Sequence, residues 1–164
     1  MKQIGIMSDT HGYFNPALTD FFKDCDEIWH AGDWGHIGLV QEIEKIKPIR
    51  GVYGNIDGQE IRQIFPEVNF FEVEGVHVCM THIGGYPGHY SPFFKKIMHQ
   101  KPIDLMVCGH SHILRVIRDE QFKWLHINPG ACGNHGFQKV NTAIRLKFAK
   151  QRMYDLEVWE QKRK

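Results

Sequence analysis

Five short stretches of the chain place metal-binding side chains after apolar runs: "SDTHG" (8–12), "HAGDWG" (30–35), "YGNIDG" (53–58), "THIGG" (81–85) and "CGHSHI" (108–113). Asp9 and His11 stand two residues apart, and so do His110 and His112. In extended backbone such a pair points to one side, with Cα atoms roughly 7 Å apart, so each pair could converge on a single cation. Asp33, Asn55 and His110 each follow a glycine, which lets the chain turn without a Cβ clash. The assembled set is Asp9, His11, Asp33, Asn55, His82, His110 and His112: two carboxylates, one amide, four imidazoles and no thiolate. Seven N and O ligands exceed what one tetrahedral zinc takes and suit two first-row cations sharing a carboxylate. Manganese is the first expectation; iron, nickel, cobalt and zinc are compatible with the same donors.

The chain contains 11 histidines among 164 residues, a concentration that raises a metal hypothesis before any motif is named. The net charge of +1 supplies no long-range field for gathering nucleic acid or an anionic membrane. No apolar run approaches the ~20 residues of a membrane-spanning helix, and the N-terminus enters a strand-like run directly. A cytoplasmic protein is therefore expected. The four cysteines, Cys25, Cys79, Cys108 and Cys132, form no C-x-x-C pair, which argues against a thiolate zinc site or a disulfide framework.

Positioning these ligands requires strands. Apolar runs of strand length occur at 4–7, 27–30, 49–53, 69–73, 76–80, 105–108, 114–117, 123–127, 142–148 and 153–159. Helical patterns occur at 15–23, 36–47 and 92–100. The first half alternates strand and helix, as parallel pairing through crossovers demands, while the second half is richer in successive strands. Hairpins are expected near Glu74-Gly75 and Asp119-Glu120, and "TAIRLKF" alternates as a half-exposed strand would. In an open α/β sheet ligands bind at the carboxyl ends of the strands, so the five ligand stretches aim at one edge. One domain over 1–164 is expected, with the tail "QKRK" a solvated end.

Taken singly, each stretch has a plainer reading as a turn or a strand end. In order, D-x-H, GD, GN, H and GHxH, they resemble the calcineurin-like metallophosphoesterase superfamily, most closely its small single-domain bacterial and archaeal phosphodiesterases. The resemblance runs from "IMSDTHG" (6–12) to the "NPG" at 128–130. It implies an α/β fold in a four-layer α-β-β-α sandwich, with two mixed sheets packed face to face and helices outside. It also implies a dinuclear centre: Asp9, His11 and His112 on one metal, Asn55, His82 and His110 on the other, and Asp33 bridging. The implied activity is hydrolysis of a small phosphodiester by in-line attack of a metal-bridging hydroxide.

Many relatives carry His after the GN pair, as the proton donor to the leaving group; this chain has Ile56, and small relatives often have Cys there. Substitute candidates are His135, in "NPGACGNHGF", as catalytic residue, and His89, in "GGYPGHY", as substrate-binding residue. Asp57 reads as a residue that orients Asn55 or a neighbouring loop. Tyr13, Phe14, Trp34, Tyr86, Tyr90 and Phe137 are aromatic candidates for a pocket wall. Competing functions are a non-catalytic interaction scaffold on the same fold, as in the retromer scaffold subunit, and a phosphomonoesterase or nuclease. A homo-oligomer is compatible with the sequence.

Overall fold

A computed structural model describes residues 1–163. Along the chain lie β1 (Lys2–Met7), α1 (Ala17–Phe21), β2 (Glu27–His30), α2 (Ile37–Glu44), β3 (Ile49–Gly51), α3 (Gln59–Ile64), β4 (Val68–Val73) and β5 (Val76–Thr81). They are followed by β6 (Gly85–Tyr86), β7 (His89–Tyr90), α4 (Pro92–Ile97), β8 (Leu105–Val107), β9 (Leu114–Arg118), β10 (Leu125–Pro129), β11 (Val140–Ala149) and β12 (Arg152–Lys162). One five-stranded sheet has the order β12-β11-β1-β2-β3; a second has β4-β5-β8-β10-β9; β6 and β7 form a small ribbon. Both large sheets are mixed. β1-β2-β3 and β5-β8-β10 pair in parallel, and the hairpin partners β12, β11, β4 and β9 add antiparallel.

Three apolar clusters define the four layers. Ile4, Ile6, Trp29, Val78, Leu105, Ile127, Ile144 and Phe148 fill the space between the sheets. Leu18, Leu39, Val40, Ile43 and Ile61 of the first three helices, with Phe22 just after α1, cover the outer face of the first sheet over Met7 and Ile28. Phe94 and Ile97 of α4 cover the second sheet over Cys79, Met106 and Trp124. The end of β1 is accordingly buried on both faces, as a parallel strand between two layers must be. Among the described residues no helix is long and apolar enough to cross a membrane.

Local chemistry sets the helix limits. His36 Nδ1 accepts from the Leu39 N–H and caps α2, and Ser91 Oγ caps α4 by accepting from Phe94 N–H, with Pro92 in the first turn. All three expected helices are shorter than their sequence patterns. The six-residue α3 and the β6–β7 ribbon are too brief, and α3 too sparsely buried, for periodicity to reveal. β11 is not half-exposed: Ile144, Leu146 and Phe148 face the inter-sheet core, Ala143 faces the helix layer, and Arg145 reaches the Phe21 carbonyl. The tail is also more than a solvated end. Gln161 and Lys162 belong to β12, and Arg163 donates to the Gly136 and Gln138 carbonyls at 3.0 and 2.6 Å. Lys164 lies outside the described residues.

Trp29 is fully buried between the sheets, edge-on to Phe71 at 4.9 Å and tilted against Phe148 at 5.5 Å. Trp29→Ala therefore removes the contact that locks the two sheets together. It is expected to lower the unfolding free energy by about 3–5 kcal/mol in urea titration, the usual cost of emptying a large aromatic site.

Candidate metal centre

The carboxyl ends of strands from both sheets meet at one end of the sandwich. β1, β2 and β3 deliver Asp9 with His11, Asp33 and Asn55; β5 and β8 deliver His82 and His110 with His112. Asp9, His11 and His112 form one group whose ligand atoms all lie within 4.8 Å of one another, and Asp33, His82 and His110 form a second. Asp33 Oδ2 sits between them, 3.1 Å from His82 Nε2 and 3.6 Å from His11 Nε2. Asp9 Oδ1 lies 3.2 Å from His112 Nε2 and 3.9 Å from the Nε2 atoms of His11 and His82. Asn55 Oδ1 stands at the edge of the second group, 3.1 Å from His110 Nδ1.

The Asp9 and His11 side chains converge, but not through extended backbone. Asp9, His11, Asp33, His110 and His112 all adopt left-handed conformations, with φ of 56°, 45°, 59°, 71° and 63°. Each costs on the order of 1 kcal/mol in a residue with a Cβ. A backbone zipper holds them there: Asp9 N–H donates to Gly32 O at 3.0 Å, His11 N–H to Asp33 O at 3.0 Å and Gly12 N–H to Trp34 O at 2.7 Å. The glycines before the ligands act through close approach. A Cβ on Gly54 would overlap Asp33 Oδ1, and one on Gly109 would lie 2.7 Å from Asp9 Oδ2 and closer still to Ser8 Oγ.

Four of the ligands are oriented through the atom that they do not present to the cluster. Asp9 Oδ2 accepts from Ser8 Oγ at 2.6 Å and from His110 N–H at 3.1 Å, leaving Oδ1 inward. Asp33 Oδ1 accepts from Ile56 N–H at 3.1 Å, leaving Oδ2 inward. His82 Nδ1 donates to Ala31 O at 2.7 Å and His112 Nδ1 donates to Gln138 Oε1 at 2.9 Å, so the lone pairs of both rings lie on Nε2. Asp57 is buried and ties two loops together, as the sequence suggested. Its carboxylate accepts from the Gly54, Trp34 and Gly35 N–H groups at 2.8, 3.2 and 3.0 Å.

Burial pushes the Asp9 carboxyl up, but the surrounding His11, His112 and His82 rings and the Ser8 hydroxyl outweigh it and hold Asp9 well below the usual range. Asp33 is lowered in the same sense: burial opposes, and His82 and the Ile56 N–H prevail. Both carboxylates are thus ionised in a nearly water-free site, Asp9 at 0% and Asp33 at 2% exposure. Asp9 Oδ1, His11 Nε2 and His82 Nε2 are buried without a hydrogen-bond partner. Inward-facing carboxylate oxygens and imidazole nitrogens left unpaired in this way fit divalent cations. The thiols are not competitors: burial raises Cys79, Cys108 and Cys132 to about 12.

The two substitute candidates, His135 and His89, fare differently. His135 stacks on His11, ring centroids 4.5 Å apart, at the solvent side of the first group. His89 sits exposed in the β6–β7 ribbon with its ring against Tyr86 at 4.9 Å. Sequence reasoning passed over several supporting residues. Fully buried His30 accepts from Gly32 N–H through Nδ1 and donates from Nε2 to Thr10 Oγ1 at 2.9 Å, while its ring stacks on Trp34 at 3.8 Å. Asn128 Nδ2 donates to Gly109 O and Ser111 Oγ, both at 3.0 Å, and pins the GHSH loop. The NPG motif was the only sequence signal for the latter.

A sandwich of this kind, with ligand clusters at the carboxyl ends of both sheets, defines a metal-centred phosphoesterase architecture. The model of the calcineurin-like phosphoesterase superfamily domain matches residues 1–151, and the chain belongs to that family. A probable metallophosphoesterase of Methanothermobacter thermautotrophicus is 29% identical over 135 residues, 78% of this chain and 76% of that relative. Among solved structures, Vps29 of Entamoeba histolytica superposes with TM-score 0.76 at 13% identity, covering 99% of each chain. An archaeal phosphodiesterase superposes with TM-score 0.68 at 23% identity, covering 96% of this chain and 99% of that one. At these identities the solved structures speak for the fold.

Two outcomes follow. Asp57→Ala strands three backbone donors and loosens both loops; metal affinity measured by calorimetry should fall about 10–100-fold, as when other outer-shell partners are removed. Burial holds the His30 pKa at about 3, against an ordinary value of 6.5, so the unfolded chain binds the additional proton between those values. Stability of the metal-free protein should therefore decline as pH falls from about 6.5 toward 3. His30→Gln should flatten that decline in urea midpoints measured across the window.

Proposed function

We propose that the protein is a dinuclear metal-dependent phosphodiesterase, formed as one domain over 1–164 and acting in the cytoplasm. The observation that carries this reading is the position of Asp33 Oδ2 between two three-residue groups, within 3.6 Å of an unpaired imidazole nitrogen on each side. Asp9, His11 and His112 would hold one cation, and His82, His110 and Asn55 the other, with Asp33 shared. Manganese is the expected metal, with iron, nickel, cobalt or zinc as substitutes. When bound, such a pair would supply Lewis-acid polarisation of a phosphoryl oxygen and an activated water for in-line displacement at phosphorus.

The remaining work falls to the chain. Asp9, Asp33, His82 and His112 are braced through their outward atoms, which holds their inward atoms in place for a cation. No serine or cysteine nucleophile is needed, consistent with the raised thiols. Ile56, 46% exposed, gives the leaving group no proton. His135 is the candidate donor, stacked on His11 at the solvent side, and His89, exposed beside Tyr86 in the β6–β7 ribbon, is the candidate substrate contact. Aryl leaving groups need little protonation, so aryl phosphodiesters should turn over faster than alkyl phosphomonoesters. The scaffold reading rests on the fold alone, whereas all seven expected ligand positions carry competent donors here.

The test is a panel of phosphodiesters and phosphomonoesters with manganese and the other metals. Aryl diesters should be the best substrates, and Asp33→Ala should be inactive. Faster alkyl monoester hydrolysis would reassign the substrate class, full activity of Asp33→Ala would remove the shared carboxylate, and no bound metal with no activity would favour the scaffold. His135→Ala should cost 10²–10⁴-fold in kcat on alkyl leaving groups and far less on p-nitrophenyl esters, the pattern of a lost general acid.

A further inference from the structure

The segment 133–138, between β10 and β11, touches every member of the first ligand group. Gly133 N–H donates to Asp9 O at 3.2 Å, the His135 ring stacks on His11 at 4.5 Å, and Gln138 Oε1 accepts from His112 Nδ1 at 2.9 Å. Among the described residues no hydrogen bond joins this segment to Asp33, Asn55, His82 or His110. The two groups are thus braced differently. His82 leans on Ala31 O, a buried backbone carbonyl directly after β2. His112 leans on a half-buried side chain that follows four exposed residues, 134–137.

The Gln138 amide is oriented by its own bonds. Its Nε2 donates to His135 O at 2.8 Å and reaches Gly133 O at 3.5 Å, so Oε1 is the atom left facing His112 and the imidazole proton sits on Nδ1. The Gly136 backbone lies directly against that bond, since a Cβ there would overlap both His112 Nδ1 and Gln138 Oε1. Two anchors tie the segment from outside. Asn141 Nδ2, in β11, donates to Asn134 Oδ1 at 3.0 Å. Arg163, just after β12, donates from one terminal nitrogen to Gly136 O at 3.0 Å and to Gln138 O at 2.6 Å, gripping the carbonyls on either side of exposed Phe137. Exposed segments open locally at small cost unless they are tied, so these anchors decide whether Gln138 stays beside His112.

Building on the two-cation reading, we propose that Gln138 and Arg163 are positioning residues for the first cation alone. Gln138 sets the His112 tautomer that leaves Nε2 to the metal, and Arg163 keeps Gln138 within reach. The second cation depends on neither. The two sites differ in construction although their donors are alike: the second is braced by a buried strand end, the first by an exposed loop clamped from β12.

Calorimetric titration of the metal-free full chain with manganese separates the two sites. Wild type should take up two ions. Gln138→Leu should weaken one of them about 10–100-fold, the usual cost of an outer-shell partner, and leave the other within about threefold. Gln138→Glu keeps the acceptor for His112 Nδ1 and should recover most of that loss, which a merely structural role would not. Arg163→Met, which leaves the His112 bond partner in place, should weaken the same ion by a smaller factor, and it carries the comparison if Gln138→Leu does not fold. Nitrogen NMR of histidine-labelled, metal-free protein reads the brace without any metal: His112 should be protonated on Nδ1 in wild type and shift toward the Nε2-protonated form in Gln138→Leu. Equal weakening of both ions, or of neither, in folded variants would overturn the assignment. A tautomer shift in a chain that binds no manganese would uphold the brace and reject the dinuclear reading; two ions in wild type with no selective loss in the variants would reject the brace alone.

Discussion

Two ionised carboxylates buried side by side are the constraint on which the rest of the structure depends. Asp9 and Asp33 lie at the ends of adjacent parallel strands, almost without access to water. Buried charge is tolerated only when it is paired and hydrogen-bonded. Each carboxylate gives one oxygen to the protein and turns the other toward imidazoles, several of whose nitrogens have no other partner. Four histidines therefore have to come to this spot, and they come from both sheets. The face-to-face arrangement of the sheets is what makes that meeting possible.

The backbone bears a cost for this arrangement. Five of the seven candidate ligands are left-handed, conformations that persist only when surroundings over-determine them. The zipper between the ends of β1 and β2 and the Asp57 carboxylate beneath the GD and GN loops hold Asp9, His11 and Asp33, and the Asn128 amide pins the loop that carries His110 and His112. The strain coincides with the chemistry: the ligand loops are stiff, and the cluster is preorganised before anything binds. His30 extends the bracing one layer deeper, as a neutral ring stacked in the series His30, Trp34, Phe65.

The ligand order was legible in the sequence because the site is built from recurring strand ends, and a glycine precedes three of the ligands for one physical reason: a Cβ would meet another ligand or its brace. The fold class was legible from the alternation of apolar runs and from the hairpins near Glu74-Gly75 and Asp119-Glu120. The left-handed turns were not, since spacing of two fits an extended chain equally well and nothing in Asp or His forces positive φ. Nor were α3 and the β6–β7 ribbon, each held by tertiary contacts rather than by its own periodicity.

The central claim is that Asp33 joins two cations into one unit. Electron paramagnetic resonance of the protein loaded with manganese reads that directly. The account predicts the spectrum of a magnetically coupled pair, reverting to that of isolated ions in Asp33→Ala. Wild-type protein that shows only isolated manganese at full loading would contradict it.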